Sequence, residues 1–203
     1  NEALIHAGIQ GRIKVNVDYI DSEDIERHGT ERLAGKDAIL VPGGFGERGL
    51  EGMIETARYA RTSKIPYLGL CLGMQIMVVE YARNELGIPD ATSLEIDPDA
   101  ANPVIAFMPG QEELHSTGGT MRLGSYPCIL KEGTIVREAY GKEEVSERHR
   151  HRYEFNNNYR EQFASHGLAF AGQSPDQSLV EIIELPEHPW FVAVQFHPEF
   201  KSR

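Results

Sequence analysis

The sequence contains only two cysteines, Cys71 and Cys128, and they stand in dissimilar surroundings. Two such cysteines give neither a disulfide framework nor a Cys-x-x-Cys pair of the kind that binds metal or carries redox chemistry. Disulfide-poor chains are typical of reducing compartments. The cysteine usage therefore predicts a cytoplasmic protein.

Long apolar runs and an excess of positive charge are also missing. No run approaches the about 20 residues of a membrane-spanning helix, and the opening segment NEALIHAGIQ does not resemble a signal peptide. The formal net charge is −11, because 31 Asp and Glu outweigh 20 Lys and Arg. This balance argues against a nucleic acid or an anionic membrane as the main partner, but it leaves room for a small anion in a local basic pocket.

The 203 residues, of which 40% are hydrophobic, suffice for one core and one domain. Apolar, β-branched runs that alternate with helical patterns predict strands at 14–20, 37–43, 65–70 and 190–196. The last three are nearly continuous in apolar residues, as strands buried on both faces are. We therefore predict an α/β fold with an open, mostly parallel central sheet and helices on both faces.

The second half of the chain is predicted to be richer in strands. Shorter strands are expected at 120–130, 167–173 and 178–185, and residues 108–119 have the composition of a loop. Residues 1–8 instead have a helical pattern, with Asn1 at the N-cap, although a doubly wound sheet normally opens with a strand. We therefore expect residues 1–203 to be one domain of a longer chain.

The stretch IPYLGLCLGMQIM (65–77) places Cys71 between Gly69 and Gly73, where a strand pattern gives way to a helical one. Small residues two positions before and after a nucleophile relieve the crowding of a strand–turn–helix elbow. The following helix N-terminus, from Leu72, is expected to lower the thiol pKa and to offer an oxyanion donor. Cys71 is therefore predicted to be a nucleophile, with a plain buried core cysteine as the alternative.

A candidate base follows the predicted strand WFVAVQF. His197 comes directly after it, which places the imidazole at the carboxyl edge of the sheet, where ligands bind in open α/β folds. Glu199 can accept a hydrogen bond from the imidazole and fix its orientation. For His197 taken alone, a purely structural histidine at the end of a strand is the alternative.

The segment LVPGGFGERG (40–49) forms another turn after a predicted strand. Its consecutive glycines, Gly43 and Gly44, let backbone N–H groups approach a ligand closely. It lacks the Gly-Lys-Ser/Thr ending of a P-loop and fits the dinucleotide-binding fingerprint poorly. A loop that supplies oxyanion donors suits it better, and a plain tight turn is the alternative.

The segment SERHRHRYEFNN (146–157) alternates in character. If it is extended, its arginines share one face with a glutamate and its histidines share the other with two aromatic residues: Arg148, Arg150, Arg152 and Glu154 against His149, His151, Tyr153 and Phe155. Three arginines on one face of an acidic protein suggest recognition of a carboxylate or phosphate, the alternative being a solvated charged strand. The two histidines have no third ligand nearby, so no metal site is expected.

Together these motifs resemble the class I, or triad, glutamine amidotransferases. Six stretches along nearly the whole chain are similar to the carboxyl-terminal glutaminase domains of the CTP synthase branch of that family: LVPGGFGERGLEGMI, IPYLGLCLGMQ, GGTMRLG, ERHRHRYEFNN, LVEIIEL and HPWFVAVQFHPEF. The elbow and the His-Pro-Glu motif indicate the family at large, whereas GGTMRLG and RHRHRYE indicate the branch. The resemblance implies a flavodoxin-like fold and hydrolysis of glutamine.

The resemblance also implies a role for each site residue. Cys71, His197 and Glu199 are the implied catalytic triad. The implied oxyanion and substrate contacts are backbone N–H groups of Gly43 and Leu72, a wall shaped by Gly44 and Phe45, and side chains of Gln75, Glu95 and Arg152. Within this last set, Arg152 is expected to hold the α-carboxylate of glutamine and Glu95 its α-ammonium group.

Implied partners follow from the same resemblance. Glutamine is the expected substrate, and no cofactor, nucleic acid or membrane is expected for residues 1–203. A synthetase domain, absent from this sequence, would convert UTP to CTP with ATP and Mg²⁺ in a homo-oligomer, a tetramer. GTP is an implied activator, but residues 108–119 lack the lid arginine that some relatives have there, and no counterpart of the family's opening strand precedes Asn1.

Two other functions remain as alternatives. A γ-glutamyl hydrolase or peptidase could use the same scaffold, and release of ammonia from free glutamine discriminates against it. The second alternative is a catalytically silent regulatory or filament-forming module. Such a module would not need Cys71, His197 and Glu199, so the presence of all three argues against it.

Overall fold

The computed structural model describes residues 1–107 and 121–203. Its helices are α1 (Glu2–Gly11), α2 (Ser22–His28), α3 (Leu50–Thr62), α4 (Leu72–Asn84), α5 (Ile135–Tyr140) and α6 (Arg160–Ser165). Its strands are β1 (Ile39–Val41), β2 (Tyr67–Leu70), β3 (Thr92–Ser93), β4 (Pro103–Phe107), β5 (Arg122–Leu130), β6 (Glu144–His151), β7 (Tyr153–Phe155), β8 (Ala169–Gln173), β9 (Val180–Glu184) and β10 (Phe191–Val194). Short 3-10 helices cover Thr30–Leu33, Asn157–Tyr159 and Pro198–Lys201.

The main sheet has the strand order β1-β2-β10-β9-β8-β5-β6, and β3, β4 and β7 form a smaller sheet. Strands β1, β2 and β10 are parallel to one another, and every other pair in the main sheet is antiparallel. Parallel neighbours need a long crossover, which α3 provides between β1 and β2, whereas the turn between β8 and β9 can join only antiparallel strands. The predicted α/β class is confirmed, but the sheet is mixed rather than mostly parallel.

Two hydrophobic cores lie on opposite faces of the main sheet. Alternate residues of β10 point to each: Phe191 and Ala193 pack with helices α2 to α4, and Val192 and Val194 pack in the other core, with α5. This strand is buried at every position, as its continuous apolar sequence predicts. The expectation of helices on both faces is thus confirmed.

Helix α4 lies at the centre of the first core. Each residue from Leu72 to Ala82 is buried, because α3 packs on one side of the helix, the parallel strands on another and the small sheet on a third. Glu80 is buried within α4 and pairs with Arg61 of α3 through a forked contact of 2.7–3.2 Å. The helix that begins beside Cys71 is therefore held rigidly.

The predicted strand at 14–20 is wrong. The backbone there belongs to no sheet, and Val15, Val17 and Tyr19 are exposed. A strand is stabilised by hydrogen bonds to a neighbour, and no described strand lies beside this segment. The predicted helix at 1–8 forms and continues to Gly11, although the side chain of Asn1 makes no capping hydrogen bond.

Two further expectations have different outcomes. The loop predicted at 108–119 lies outside the described residues. The three strands expected later in the chain appear as β5, β8 and β9. Across both described ranges, no helix is long and apolar enough to cross a membrane.

The close approach of helix α4 to strand β1 depends on Gly73. A Cβ atom at this position would lie 2.2 Å from the carbonyl oxygen of Val41 in β1, and backbone cannot move aside as a flexible side chain does. We predict that Gly73→Ala lowers the free energy of unfolding by at least about 2 kcal/mol, because α4 must shift away from β1. Urea unfolding monitored by circular dichroism measures this loss.

Gly11→Ala is the matched control. Gly11 ends α1, and a Cβ there would meet its nearest neighbour at 3.5 Å, an ordinary contact. Because alanine favours a helix over glycine, this variant is expected to be as stable as the unsubstituted protein or slightly more so. A Gly73→Ala protein with unchanged stability would contradict the packing argument.

Candidate active site

Cys71 lies at the junction of β2 and α4 in a strained conformation, with φ 52° and ψ −102°. Its N–H donates to the carbonyl of Val194 at 2.7 Å, and its own carbonyl accepts from Met74 N–H at 3.0 Å. Gly69, two residues before, has no room for a side chain, since a Cβ there would lie 2.6 Å from the Gly73 carbonyl oxygen. The predicted elbow is thus present, and strain of this kind is typical of functional positions.

His197 follows β10 and is held at three points. Its Nδ1 lies 2.8 Å from Oε1 of Glu199, its backbone N–H donates to the Arg148 carbonyl at 2.8 Å, and its ring stacks on Phe200. A carboxylate at Nδ1 favours the tautomer with the proton on that nitrogen. Nε2 is buried and has no hydrogen-bond partner among the described residues, so it is the nitrogen available to accept a proton.

Gly43 brings the two side chains into one site. A Cβ added to Gly43 would lie 2.7 Å from Cε1 of His197 and 3.5 Å from Cβ of Cys71. The carboxyl ends of the three parallel strands therefore converge, and the backbone of Gly43 packs against both Cys71 and His197. Gly44 lies against Leu72, where a Cβ would approach that side chain to 3.1 Å, and Phe45 is exposed at the edge of the site.

The expected low pKa of the Cys71 thiol is wrong for the unliganded protein. Burial raises its pKa to about 12, and the hydrogen bond from Leu72 N–H opposes this only in part. The desolvation of a thiolate in this pocket outweighs one helix N-terminus, and three nearby carboxylates add to the effect. The resting thiol is therefore protonated, and it must lose its proton at the moment of reaction.

Two buried glutamines form a chain that reaches the sulfur. Nε2 of Gln75 lies 3.3 Å from the Tyr153 carbonyl oxygen and 3.4 Å from Oε1 of Gln195, and Nε2 of Gln195 lies 3.8 Å from Sγ of Cys71. Gln75 was a predicted site residue, whereas Gln195 was not recognised. A polar residue inside the otherwise apolar run WFVAVQF is the signal that could have revealed it.

The predicted Glu95 and Arg152 both lie within electrostatic reach of the Tyr153 phenol. Burial raises the pKa of the Tyr153 phenol, Glu95 raises it further, and Arg152 lowers it, so both charges act on this ring. Oε1 of Glu95 accepts a hydrogen bond from Gly46 N–H at 3.3 Å, so the carboxylate contacts the glycine-rich turn at 40–49. Glu95 also borders a small cleft beside Leu72 and Gln75. The arrangement places one anionic and one cationic group around the Tyr153 ring, and Glu95 also acts on the Cys71 thiol.

Strand β6 alternates as predicted as far as Arg152. Arg148 and Arg150 are exposed, while His149 and His151 are buried. A bend at Arg152 separates β6 from β7 and breaks the alternation. Glu154 therefore does not share the arginine face, as was predicted, but is buried.

Behind the thiol lies a buried charged cluster, which consists of Arg122, His149, His151, Glu154 and Glu181. Arg122 pairs with Glu181 at 2.6 Å and with Glu154 at 3.3 Å. Sequence reasoning missed Arg122 and Glu181; a charge within each of the strand patterns TMRLG and LVEIIEL is the signal that could have found them.

The two histidines of the cluster are neutral. Nδ1 of His149 lies 2.9 Å from Nε2 of His151, whose Nδ1 donates to the Tyr153 carbonyl at 3.1 Å. Burial and the Arg122 charge hold the pKa of His149 near 2 and that of His151 near 3. These two hydrogen bonds use Nδ1 of His149 and both ring nitrogens of His151. Within residues 1–107 and 121–203, no group of three or more metal-binding side chains is placed to hold a metal ion.

Glu154 makes stability depend on pH. Burial and the neighbouring Glu181 raise its pKa to about 8, so between its ordinary pKa and this value the folded protein holds a proton that the unfolded chain releases. Stability contributed by this proton is lost as pH rises through that window, by up to about 1.4 kcal/mol per pH unit. We predict that Glu154→Gln, which stays neutral, removes this decline in the free energy of unfolding between pH 5 and pH 8.

Urea unfolding at several pH values measures the difference between the two proteins. The histidines of the cluster are common to both and cancel in that difference. Glu161→Gln is the control, because Glu161 is exposed on α6, and its curve should follow that of the unsubstituted protein. Parallel curves for Glu154→Gln and the unsubstituted protein would contradict the assignment.

Comparison with known families matches residues 1–203 to the model described as glutamine amidotransferase class-I. Similar curated proteins are CTP synthases from Carboxydothermus hydrogenoformans, with 59% identity over 203 residues, and Moorella thermoacetica, with 57% over 202. Each match covers 100% of this chain but 38% of the relative. The chain thus spans well under half the length of these relatives.

Solved structures give a consistent picture. The glutaminase domain of Trypanosoma brucei CTPS with bound acivicin superposes with a TM-score of 0.92 at 36% identity, covering 98% of this chain and 78% of that one. A glutamine amidotransferase from Thermotoga maritima superposes with a TM-score of 0.61 at 14% identity, covering 97% of this chain and 69% of that one. At that identity the second likeness shows the fold alone.

Proposed function

Since the chain belongs to the class I glutamine amidotransferase family, we propose that it hydrolyses glutamine to glutamate and ammonia through Cys71, His197 and Glu199. The observation that carries this proposal is the position of Gly43, because a Cβ on this residue would lie 2.7 Å from Cε1 of His197 and 3.5 Å from Cβ of Cys71. The hydrogen bond from His197 to Glu199 at 2.8 Å supports it. A nucleophile, an oriented base and backbone donors at one point are the elements of acyl transfer.

The first half of the reaction transfers the acyl group to sulfur. Nε2 of His197 accepts the thiol proton as Sγ of Cys71 attacks the side-chain amide carbon of glutamine. The carbonyl oxygen becomes an oxyanion, which the N–H groups of Gly43 and Leu72 stabilise. His197 then returns its proton to the leaving nitrogen, the carbon–nitrogen bond breaks, and ammonia departs from a thioester.

The second half releases glutamate. His197 takes a proton from water, whose oxygen attacks the thioester carbon, and the same backbone donors hold the second oxyanion. The carbon–sulfur bond then breaks and the proton returns to the thiolate of Cys71. Glu199 stabilises the imidazolium in both halves without taking its proton, as a hydrogen-bonded carboxylate does in related triads.

Recognition of glutamine is proposed for the residues near Tyr153. The Arg152 guanidinium would bind the α-carboxylate and the Glu95 carboxylate the α-ammonium group, since these are charges of opposite sign that both act on Tyr153. Gln75 uses Nε2 in both of its hydrogen bonds within the described residues, which leaves Oε1 as an acceptor for substrate N–H groups. Gly44 and Phe45 would form the adjoining wall.

The place of this reaction in a larger enzyme is also a proposal. The similarity to CTP synthases over 38% of their length supports residues 1–203 as a glutaminase domain whose ammonia is passed to a synthetase domain. There it would aminate UTP in a reaction that uses ATP and Mg²⁺, within a tetramer and with GTP as an activator. The lid region of the expected GTP contact lies at 108–119, outside the described residues.

Direct assay of ammonia release from glutamine tests the proposed activity. We predict that His197→Ala lowers kcat at least about a hundredfold, because proton transfer by a positioned base contributes about 10²–10⁴ in rate. Glu199→Gln is expected to lower it less, since this residue orients the imidazole. The assay is made on the full-length protein with GTP present. Ammonia release that persists after His197→Ala, or hydrolysis of γ-glutamyl peptides in place of glutamine, would overturn the proposal.

A second prediction concerns the arginine that binds substrate. Arg152→Lys should raise KM for glutamine about tenfold or more, because a lysine cannot reproduce two parallel hydrogen bonds to a carboxylate. Its kcat should change little. Steady-state glutaminase kinetics on the full-length protein measure both constants.

Arg148→Lys and Arg150→Lys are the matched controls. Both arginines are exposed on β6, four and two positions before Arg152 in the chain, and their replacement by lysine keeps the net charge. We expect KM for glutamine to stay unchanged in Arg148→Lys. In Arg150→Lys we expect an increase much smaller than in Arg152→Lys, since the Arg150 guanidinium lies 5.7 Å from the centre of the Phe45 ring and lysine keeps a cation there. Equal increases in all three variants would indicate a general effect of surface charge and contradict the role given to Arg152.

A further inference from the structure

We propose that Gln195 is a further catalytic residue, which donates a hydrogen bond to Sγ of Cys71 and stabilises the thiolate as it forms. The inference rests on the proposed function, in which this thiolate attacks glutamine. Nε2 of Gln195 lies 3.8 Å from Sγ, and the side chain is fully buried. Its amide therefore contacts the reacting atom directly, from within the protein.

The direction of the Gln195 amide follows from its neighbours. The Tyr153 carbonyl can only accept, so the atom of Gln75 that faces it at 3.3 Å must be the NH₂ group. The same NH₂ group lies 3.4 Å from the Gln195 amide, where it requires an oxygen. Oε1 of Gln195 therefore faces Gln75, and its NH₂ group faces the sulfur.

The strand holds Gln195 in place. Its backbone N–H donates to the Glu181 carbonyl at 2.8 Å, which continues the pairing of β9 with the end of β10. The residue lies two positions before His197, so the same strand end carries both the base and this donor. A buried amide costs free energy unless its hydrogen bonds are made, and here Gln75 and Cys71 supply the partners.

The environment of the sulfur makes such a donor necessary. The Arg150 carbonyl oxygen lies 3.9 Å from Sγ; it can accept from the thiol but repels a thiolate. Glu95 and Glu199 also act against negative charge at this point. The N–H of Leu72 and the amide of Gln195 are the opposing donors, and a neutral donor gains most in strength when the charge appears on sulfur.

The test is the reactivity of Cys71 toward iodoacetamide as a function of pH, measured by peptide-resolved mass spectrometry on the full-length protein. Gln195→Met keeps a similar length and removes the donor, while Gln75 retains the Tyr153 carbonyl. We expect the rate-versus-pH curve to move by about one unit toward higher pH, a tenfold slower alkylation at fixed pH.

Two further variants separate a donor from a space-filling side chain. Gln195→Glu keeps the shape and the acceptor for Gln75 but replaces the donor by a carboxylate, so alkylation should be slower than in Gln195→Met. Ser174→Ala removes a buried polar side chain from the turn between β8 and β9, and its curve should follow that of the unsubstituted protein.

The inference is overturned if the Gln195→Met curve follows the unsubstituted one, if Gln195→Glu reacts like the unsubstituted protein, or if Ser174→Ala causes an equal displacement. Alkylation requires no glutamine, so these outcomes do not depend on the proposed activity. A protein that shows the displacement but releases no ammonia would contradict the proposed function alone.

Discussion

The hydrogen bond from Cys71 N–H to the Val194 carbonyl connects the two halves of the site. It extends the parallel pairing of β2 and β10 by one residue beyond the strands. The nucleophile and, three residues after Val194, the base thereby leave the sheet from adjacent strand ends. The strained backbone of Cys71 persists because this bond and the first turn of α4 together determine it.

Close packing excludes water from the sulfur of Cys71, and this burial makes the reactive thiolate harder to form. The same burial that rigidifies α4 raises the pKa of the thiol to about 12. The protein therefore cannot rely on a preformed thiolate. It places neutral donors and an oriented imidazole around the sulfur, so that the proton moves only when a substrate can react.

Strand β6 contacts the site through its backbone carbonyl groups, and its buried side chains pack in the charged cluster behind the thiol. Carbonyl groups of Arg148 and Arg150 contact His197 N–H and the Cys71 sulfur. The buried side chains of His149 and His151, which alternate with these arginines along the strand, belong to the cluster around Arg122 and Glu154. Replacement of such a buried ionic cluster by apolar packing is often neutral or stabilising, whereas loss of one partner leaves a buried charge uncompensated.

The sequence by itself determined the elbow at Cys71, the His197–Glu199 pair, the glycine-rich turn and the α/β class, because each depends on local spacing and periodicity. Tertiary structure decided the rest. Whether residues 14–20 form a strand depends on a neighbour, the inward turn of Glu154 depends on a bend at Arg152, and the thiol pKa depends on burial by distant segments. The contact between Gln195 and the thiol joins residues 124 positions apart, so it arises only when β10 pairs with β2.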